Sequence, residues 1–400
     1  MTEDDGTRPL SGLRVLELAH YIAGPYAAMM LGDLGAEIVK IEPPGGEAGR
    51  NSPPYSPGGE SLYYASYNRN KLHLSLDLRQ PDQVEVLACL IAECDAIVTN
   101  FSQGVPEKLG FGYSQVKEVN PRCVMVHITG CGSWSAYRDY VAFDGVAQAM
   151  SGVADLTGDP EGPPTISNVL FGDHVSAVQA VTAVLAGLQL RERTGEGRYV
   201  EVSMVRALTS LLGYHVPIVD VLGTDPHREG NRSPVRFMNV FPTRDGSLLL
   251  NPITPAMWRG MCEHMGRPDW ANDESLTLVL DDADFRVEVE AAVGAWLRGL
   301  DTLDAEALLQ SAGVACAGVR SVRTLVEEDR PKDLRLFRPV RFETGEDALV
   351  VGPLFEWGQT APTSEDRISA VGSDHAYLDR PSFQEAVRRR RSDGRGGGRS

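Results

Sequence analysis

From residue 13 to residue 129 the chain switches repeatedly between short unbroken apolar runs and stretches in which apolar residues recur every three or four positions. The runs LRVLEL, EIVKIE, DAIVTN and CVMVHIT predict buried strands, and GPYAAMMLGDLG and DQVEVLACLIAEC predict helices between them. Alternation of this kind predicts βαβ units, hence an α/β fold with a parallel sheet covered by helices. The stretch KLHLSLDLR has period two. It predicts Leu72, Leu74, Leu76 and Leu78 facing the core, with Lys71, His73, Ser75, Asp77 and Arg79 facing outward and Arg69 just before them.

Farther on, VSAVQAVTAVLAGLQL runs for 16 residues from Val175 to Leu190, short of the about 20 needed to cross a bilayer. It carries Gln179, Thr182 and Gln189 and predicts a buried core helix, ended by Gly195 and followed by a strand from Tyr199. After Gly223 the pattern changes to two short strand candidates around FMNVFPTRDGSLLLN and then three helical stretches, as in a smaller α+β domain. The end, RRRRSDGRGGGRS, is basic and of low complexity, and predicts a solvated disordered tail.

Composition narrows the function. The 400 residues are 42% hydrophobic and carry a formal net charge of −17, enough apolar residues for a large core and the wrong sign for a nucleic-acid-binding surface. An anionic ligand must be met by local basic residues. The six cysteines, Cys89, Cys94, Cys123, Cys131, Cys262 and Cys316, have no CxxC spacing and lie mostly in apolar runs, which predicts free thiols in a reducing cytoplasm. The acidic start MTEDDGTRPLSG lacks the basic and apolar regions of a signal peptide.

Several signatures of chemistry are missing. The first strand is not followed by GxGxxG, and the chain has no Walker A loop, no GxSxG elbow and no HExxH, while its eight histidines show no ligand spacing. Carboxylates at element boundaries remain. Asp173, in LFGDHVSAVQ, stands at a strand-to-helix junction, where it reads either as the N-cap of the helix that follows or as a nucleophile toward an activated acyl carbon. Asp144 in FDGVAQAMSG has the same two readings, cap or ligand group. Asn100 and Phe101 read either as a turn residue and a core residue or as a pair lining a cleft.

In order, PLSGLRVLELAHYIAGPYAAMMLGDLGAEIVKIEPPGG, NRNKLHLSLDL, DAIVTNFSQGVPEKLGFGY, NPRCVMVHITGCG, FDGVAQAMSGVADLTGDPEGPP, FGDHVSA and RERTGEGRYVEVSM resemble the class III coenzyme A transferases. That family includes formyl-CoA transferases, carnitine CoA-transferase and α-methylacyl-CoA racemases. The resemblance is close over residues 9–210 and looser beyond.

It implies a Rossmann-like large domain formed by residues 1–215 and 330–385, a small domain at 225–325, a tail from 386 to 400, and two subunits interlocked as a homodimer. It also implies transfer of CoA from an acyl-CoA donor to a carboxylic acid acceptor, with Asp173 as the catalytic aspartate, CoA as substrate, and no permanent cofactor, metal, nucleic acid or membrane. The positions matching the family's CoA contacts are Ile22, Ala23, Leu76, Asp77, Leu78, Arg79, Asn100, Phe101, Ser102, Lys108, Val141, Ala142, Phe143 and Asp144, with Arg79 and Lys108 expected at the phosphates.

Three departures modify these expectations. Pro43 and Val141 replace basic residues of some formyl-CoA transferases, which assigns part of the phosphate grip to Lys71 or Arg69. The glycine-rich loop of those enzymes has no counterpart near EGNRSPVRFMN. Phe143 replaces a histidine of the racemases, which leaves racemase or isomerase chemistry as the alternative and CoA transfer as the expectation.

Overall fold

Six of the strand-like segments make one parallel sheet. In the computed structural model, which describes residues 8–233, 236–271, 283–355 and 366–394, they are β1 (Arg14–Leu18), β2 (Glu37–Glu42), β3 (Leu72–Ser75), β4 (Ala96–Thr99), β5 (Val124–Thr129) and β6 (Tyr199–Ser203). Their order is β3-β2-β1-β4-β5-β6 and every neighbouring pair is parallel. The order reverses between β1 and β4. The loops after these two strands therefore diverge, and the crevice they leave at the carboxyl edge is where ligands collect in open α/β sheets.

Helices α1 (Ala23–Asp33), α2 (Leu62–Ala65), α3 (Pro81–Glu93), α4 (Val105–Lys108), α5 (Tyr113–Val119), α6 (Asp144–Met150), α7 (Phe171–Thr194) and α8 (Met204–Thr209) accompany the sheet. Side-chain alternation along the strands sorts the core into two layers. Val15, Ile38, Val98 and Val126 pack with Ala27 and Leu31 of α1 and Ala177, Val181 and Val184 of α7. Leu16, Leu18, Val39, Leu74 and Ile97 point the other way, toward Leu87 and Leu90 of α3 and Val116 of α5. The predicted core helix is thus the middle of α7. Its buried positions recur every three or four residues, and Val178 and Leu185 on its other side are exposed.

The period-two reading of the segment at 71–79 has the right parity, but its outward side does not reach solvent where expected. Lys71, His73 and Arg69 are all buried. Lys71 Nζ lies 2.7 Å from Glu17 of β1 and Arg69 pairs with Asp33 and Asp366, so neither is free to grip a phosphate. The physical reason is that a parallel sheet is covered on both faces. Charges on its second face survive by pairing across strands, as Lys40 of β2 does with Glu17 at 2.6 Å.

The chain divides into two compact units, one of Met1–Ala154, Ile166–Pro217 and Arg335–Ser400 and the other of Asp155–Thr165 and Ile218–Leu334. In the first, strands β10 (Phe337–Phe342), β11 (Asp347–Val351) and β12 (Asp366–Ile368) form a small sheet, and a helix spans Pro381–Gly394. Phe383 and Val387, one turn apart, join the α3 side of the core. This differs from the disordered tail expected from 386: the helix continues to 394, and 395–400 lie outside the described residues.

The second unit has an antiparallel sheet of β7 (Asn239–Pro242), β8 (Ser247–Leu250) and β9 (Cys316–Gly318), with its own core around Trp258, Met261, Leu248 and Val293. It is wider than the expected 225–325. The Arg228 guanidinium donates to the carbonyls of Asp155, Asp159 and Gly162 and so ties the 155–165 segment to this unit.

Candidate active site

Asp173 is not the cap of its helix. α7 begins at Phe171, with Leu170 before it, so Asp173 is its third residue. The capping is done from α6: Oδ1 of Asp144 accepts the N–H of Gly172 at 2.6 Å and that of Asp173 at 3.3 Å, while Oδ2 accepts from Gln148 Nε2 at 2.6 Å. Gly172 permits this approach, since a Cβ there would lie 3.0 Å from Asp144 Oδ1 and 3.2 Å from Met204 Cγ. Because another residue satisfies those N–H groups, the Asp173 carboxylate is left available.

It is directed at the start of a different helix. The backbone N–H of Ala23, first residue of α1, faces the Asp173 carboxylate and favours its charged form. That places the charge at the positive end of α1, beside the loop after β1. Burial, and secondarily the charge of Asp144, outweigh the influence of the Ala23 N–H and push the Asp173 carboxyl up to about 7. A carboxylate so placed is poorly solvated, and more basic and nucleophilic than one in water.

Tyrosines surround it. The hydroxyls of Tyr63 and Tyr67 are pushed up first by burial and then by the negative charge of Asp173. Tyr26 and Tyr67 both pack edge-on against His174, with ring centres at 4.9 and 5.8 Å. None of these aromatic residues stands out in the sequence. The only available signal was the density of tyrosine in SLYYASYN.

Of the expected CoA contacts, Ile22 ends the loop after β1 and Ala23 opens α1, and Asn100, Phe101 and Ser102 lie in the loop after β4, so the sheet brings these five to one crevice. The Asn100 amide is committed there: Oδ1 accepts the N–H of His20 at 3.0 Å and Nδ2 donates to its carbonyl at 2.8 Å. Phe101 stacks on the His20 ring at 5.3 Å, and its carbonyl meets His127 Nε2 at 2.6 Å. Ser102 is exposed.

Val141, Ala142 and Phe143 lead into α6, and the exposed Phe143 ring stands edge-on to Tyr21 at 6.0 Å. Asp144, expected beside them as a CoA contact, is buried and has both oxygens engaged inside the protein. Leu76, Asp77, Leu78 and Arg79 follow β3, two strands away from β1 in the sheet. Arg79 is exposed and bonded to Asp77 at 2.7 Å, which holds the Asp77 carboxyl down at about 2. Lys108 is exposed at the end of α4.

Comparison with known proteins agrees with this geometry. The sequence model of CoA-transferase family III matches residues 10–375. The chain is 32% identical to the succinyl-CoA:mesaconate CoA-transferase of Haloarcula hispanica over 385 residues, 92% of this chain and 95% of that one. It is 30% identical to the formyl-CoA:oxalate CoA-transferase of Streptomyces avermitilis, over 80% of this chain and 83% of that one. The crystal structure of a CAIB/BAIF family protein from Brucella suis matches with a TM-score of 0.82 at 25% identity, covering 94% of this chain and 100% of that one. A carboxylate presented at the crevice of a parallel sheet and a match along nearly the whole chain lead to one conclusion: this chain belongs to CoA-transferase family III and is a CoA-transferase.

Proposed function

We propose that the protein moves CoA from an acyl-CoA donor to a free carboxylic acid, with Asp173 as the covalent nucleophile. The observation that carries this reading is the available Asp173 carboxylate at the N-terminus of α1, whose own helix start is capped by Asp144 instead. A carboxylate oxygen attacks the thioester carbon, the C–S bond breaks, and CoA thiolate leaves a mixed anhydride. The thiolate then attacks the Asp173 carbonyl carbon and expels the donor acid, which leaves an aspartyl-CoA thioester.

The acceptor carboxylate attacks that thioester and displaces thiolate again. Thiolate finally takes the acceptor acyl group from the second anhydride and returns Asp173 as a carboxylate. The Ala23 N–H is placed to stabilise the oxyanions formed on the Asp173 carbonyl. CoA lies along Ile22, Ala23 and the 100–102 loop, with Arg79 and Lys108 meeting phosphate charge.

The relatives act on succinyl-CoA, mesaconate, formyl-CoA and oxalate, so the first donors and acceptors to examine are small acyl-CoAs and dicarboxylates. The exposed apolar residues Val169, Phe171, Val178 and Leu185, at and along α7, support burial against a second copy in an interlocked homodimer. The six buried free cysteines support a reducing cytoplasm as its compartment.

The test is incubation with succinyl-CoA and hydroxylamine, followed by peptide mass spectrometry. A hydroxamate on Asp173, and loss of exchange in Asp173→Asn, is the expected result. Full exchange by Asp173→Asn would overturn the proposal.

A further inference from the structure

The segment that supplies the Ala23 N–H is held at an unusual density of points. Lys40 Nζ donates to the carbonyl of Ala19 at 3.2 Å. Asn100 holds both the N–H and the carbonyl of His20. Glu47 Oε2 accepts the N–H of Tyr21 at 3.1 Å, and Lys71 Nζ donates to the carbonyl of Pro25 at 2.8 Å. Four side chains from four separate parts of the chain thus fix the main chain from Ala19 to Pro25, on both sides of Ala23.

These anchors are themselves joined. Lys40 bridges Glu17 at 2.6 Å and Glu47 at 3.3 Å, and Glu17 reaches Lys71 at 2.7 Å. Glu17, Lys40, Glu47 and Lys71 are all buried. Buried charges are costly unless paired, and these four pair among themselves and with main-chain groups of this loop, while Lys71 also donates to Asn68 Oδ1 at 2.9 Å. The loop also carries strain: Tyr21 sits at φ 62°, a left-handed conformation unfavourable for a tyrosine. The N–H of Tyr21 is the one Glu47 accepts, so the network holds the chain at its strained residue, two positions before Ala23.

We propose that Glu47 is a positioning residue for acyl transfer: through Tyr21, and together with Lys40, Lys71 and Asn100, it keeps the Ala19–Pro25 segment in the one conformation that presents the Ala23 N–H to Asp173. The inference rests on Asp173 being the nucleophile. The Glu47 side chain meets the N–H groups of Tyr21 and Gly49 and Lys40 Nζ, not Asp173. It acts through the loop, and its loss lets Tyr21 relax and carry Ala23 away from the carboxylate. A displacement of about 1 Å at a reacting group costs on the order of a hundredfold in rate.

The test compares Glu47→Ala with Glu47→Gln in the full-length protein. It measures the single-turnover rate of hydroxamate formation on Asp173 from succinyl-CoA, and the binding of a non-hydrolysable succinyl-CoA thioether. Glu47→Ala is expected to lose roughly ten- to a hundredfold in rate while binding the thioether within about threefold of the parent. Glu47→Gln keeps an acceptor for the Tyr21 N–H and is expected to retain most of the rate. Should Glu47→Ala not fold, Asn100→Ala releases the same segment at His20 and is expected to lose rate in the same way.

A parental rate in Glu47→Ala would overturn the proposal, as would equal losses in the Ala and Gln variants, or a parental rate in Asn100→Ala where that variant has to serve. Failure of the underlying reading has a different signature: exchange activity persisting in Asp173→Asn.

Discussion

Asp144 and Asp173 face each other across the start of α7, and the first caps the helix that carries the second. Asp144 Oδ1 takes the N–H groups of Gly172 and Asp173, and the charge that does so raises the cost of ionising Asp173. One carboxylate therefore has a structural task and the other keeps a free oxygen. Pairs of titratable groups set apart in this way are a recurrent means of assigning different tasks to like residues.

Replacing Asp144 with Asn keeps an acceptor for the helix N–H groups but removes the like charge. The acid limb of kcat/KM should move to lower pH, and stability should fall by about 1 kcal/mol because Gln148 loses a charged partner. A pH–rate series on the variant checks the first outcome and a urea melt the second.

In the proposed mechanism only the ionised form of Asp173 attacks the thioester. With burial holding its carboxyl up at about 7, kcat/KM should rise with pH through about 7 and level off above 8, whereas an unperturbed aspartate would give a flat profile from pH 5 upward. Steady-state rates between pH 5 and 9 decide this.

The same shift has a thermodynamic sign. The folded protein holds the Asp173 proton up to about pH 7, while the unfolded chain releases it near the ordinary carboxyl value of 3.8, so ionisation penalises the fold fully above pH 7 and not at all below about 3.8. Asp173→Asn should therefore be inactive yet more stable at pH 8, by about 1–3 kcal/mol, with the gain fading as the pH falls toward 4. Chemical denaturation of both proteins at pH 8 and pH 4.5 tests it.

Gly24 lies one residue past Ala23, and a Cβ there would come 2.4 Å from the Ala19 Cβ and 3.3 Å from Asn100 Cγ. Gly24→Ala must push the start of α1 out of the crevice. A loss of about 1–3 kcal/mol in stability and at least about tenfold in kcat is expected, read from a thermal melt and initial rates.

Arg79 is exposed and paired with Asp77 before substrate arrives. Arg79→Ala should raise KM for acyl-CoA about tenfold with kcat unchanged, and the KM difference should shrink at high salt if phosphate charge is what the guanidinium meets. Titrations of acyl-CoA at 50 mM and 500 mM salt provide the measurement.

Periodicity alone was sufficient for much of this architecture. Unbroken apolar runs such as LRVLEL and EIVKIE identify strands buried on both faces, and the spacing in VSAVQAVTAVLAGLQL identifies the core of α7, because the burial of a side chain is written locally in the 2-residue and 3.6-residue repeats. The ordered motifs added the family and singled out Asp173. Glu17 and Lys40, polar residues inside buried strands, were the visible trace of a network whose members could not be paired from the sequence.

What only the tertiary structure decided is who meets whom. Lys71 alternates with leucines like a solvent-facing residue and Arg69 stands just before that stretch, and whether water or a carboxylate from another element covers them depends on how the fold is assembled. Asp173 looked like the cap of its own helix because capping is usually local. The N–H groups at that helix start are taken by Asp144, 29 positions earlier, and its own carboxylate faces the start of α1. The sequence by itself determined the elements, the sheet and the family and singled out Asp173; the ionisation of that carboxylate, the N–H that faces it and the scaffold behind that N–H came from contacts between distant segments, which no local pattern encodes.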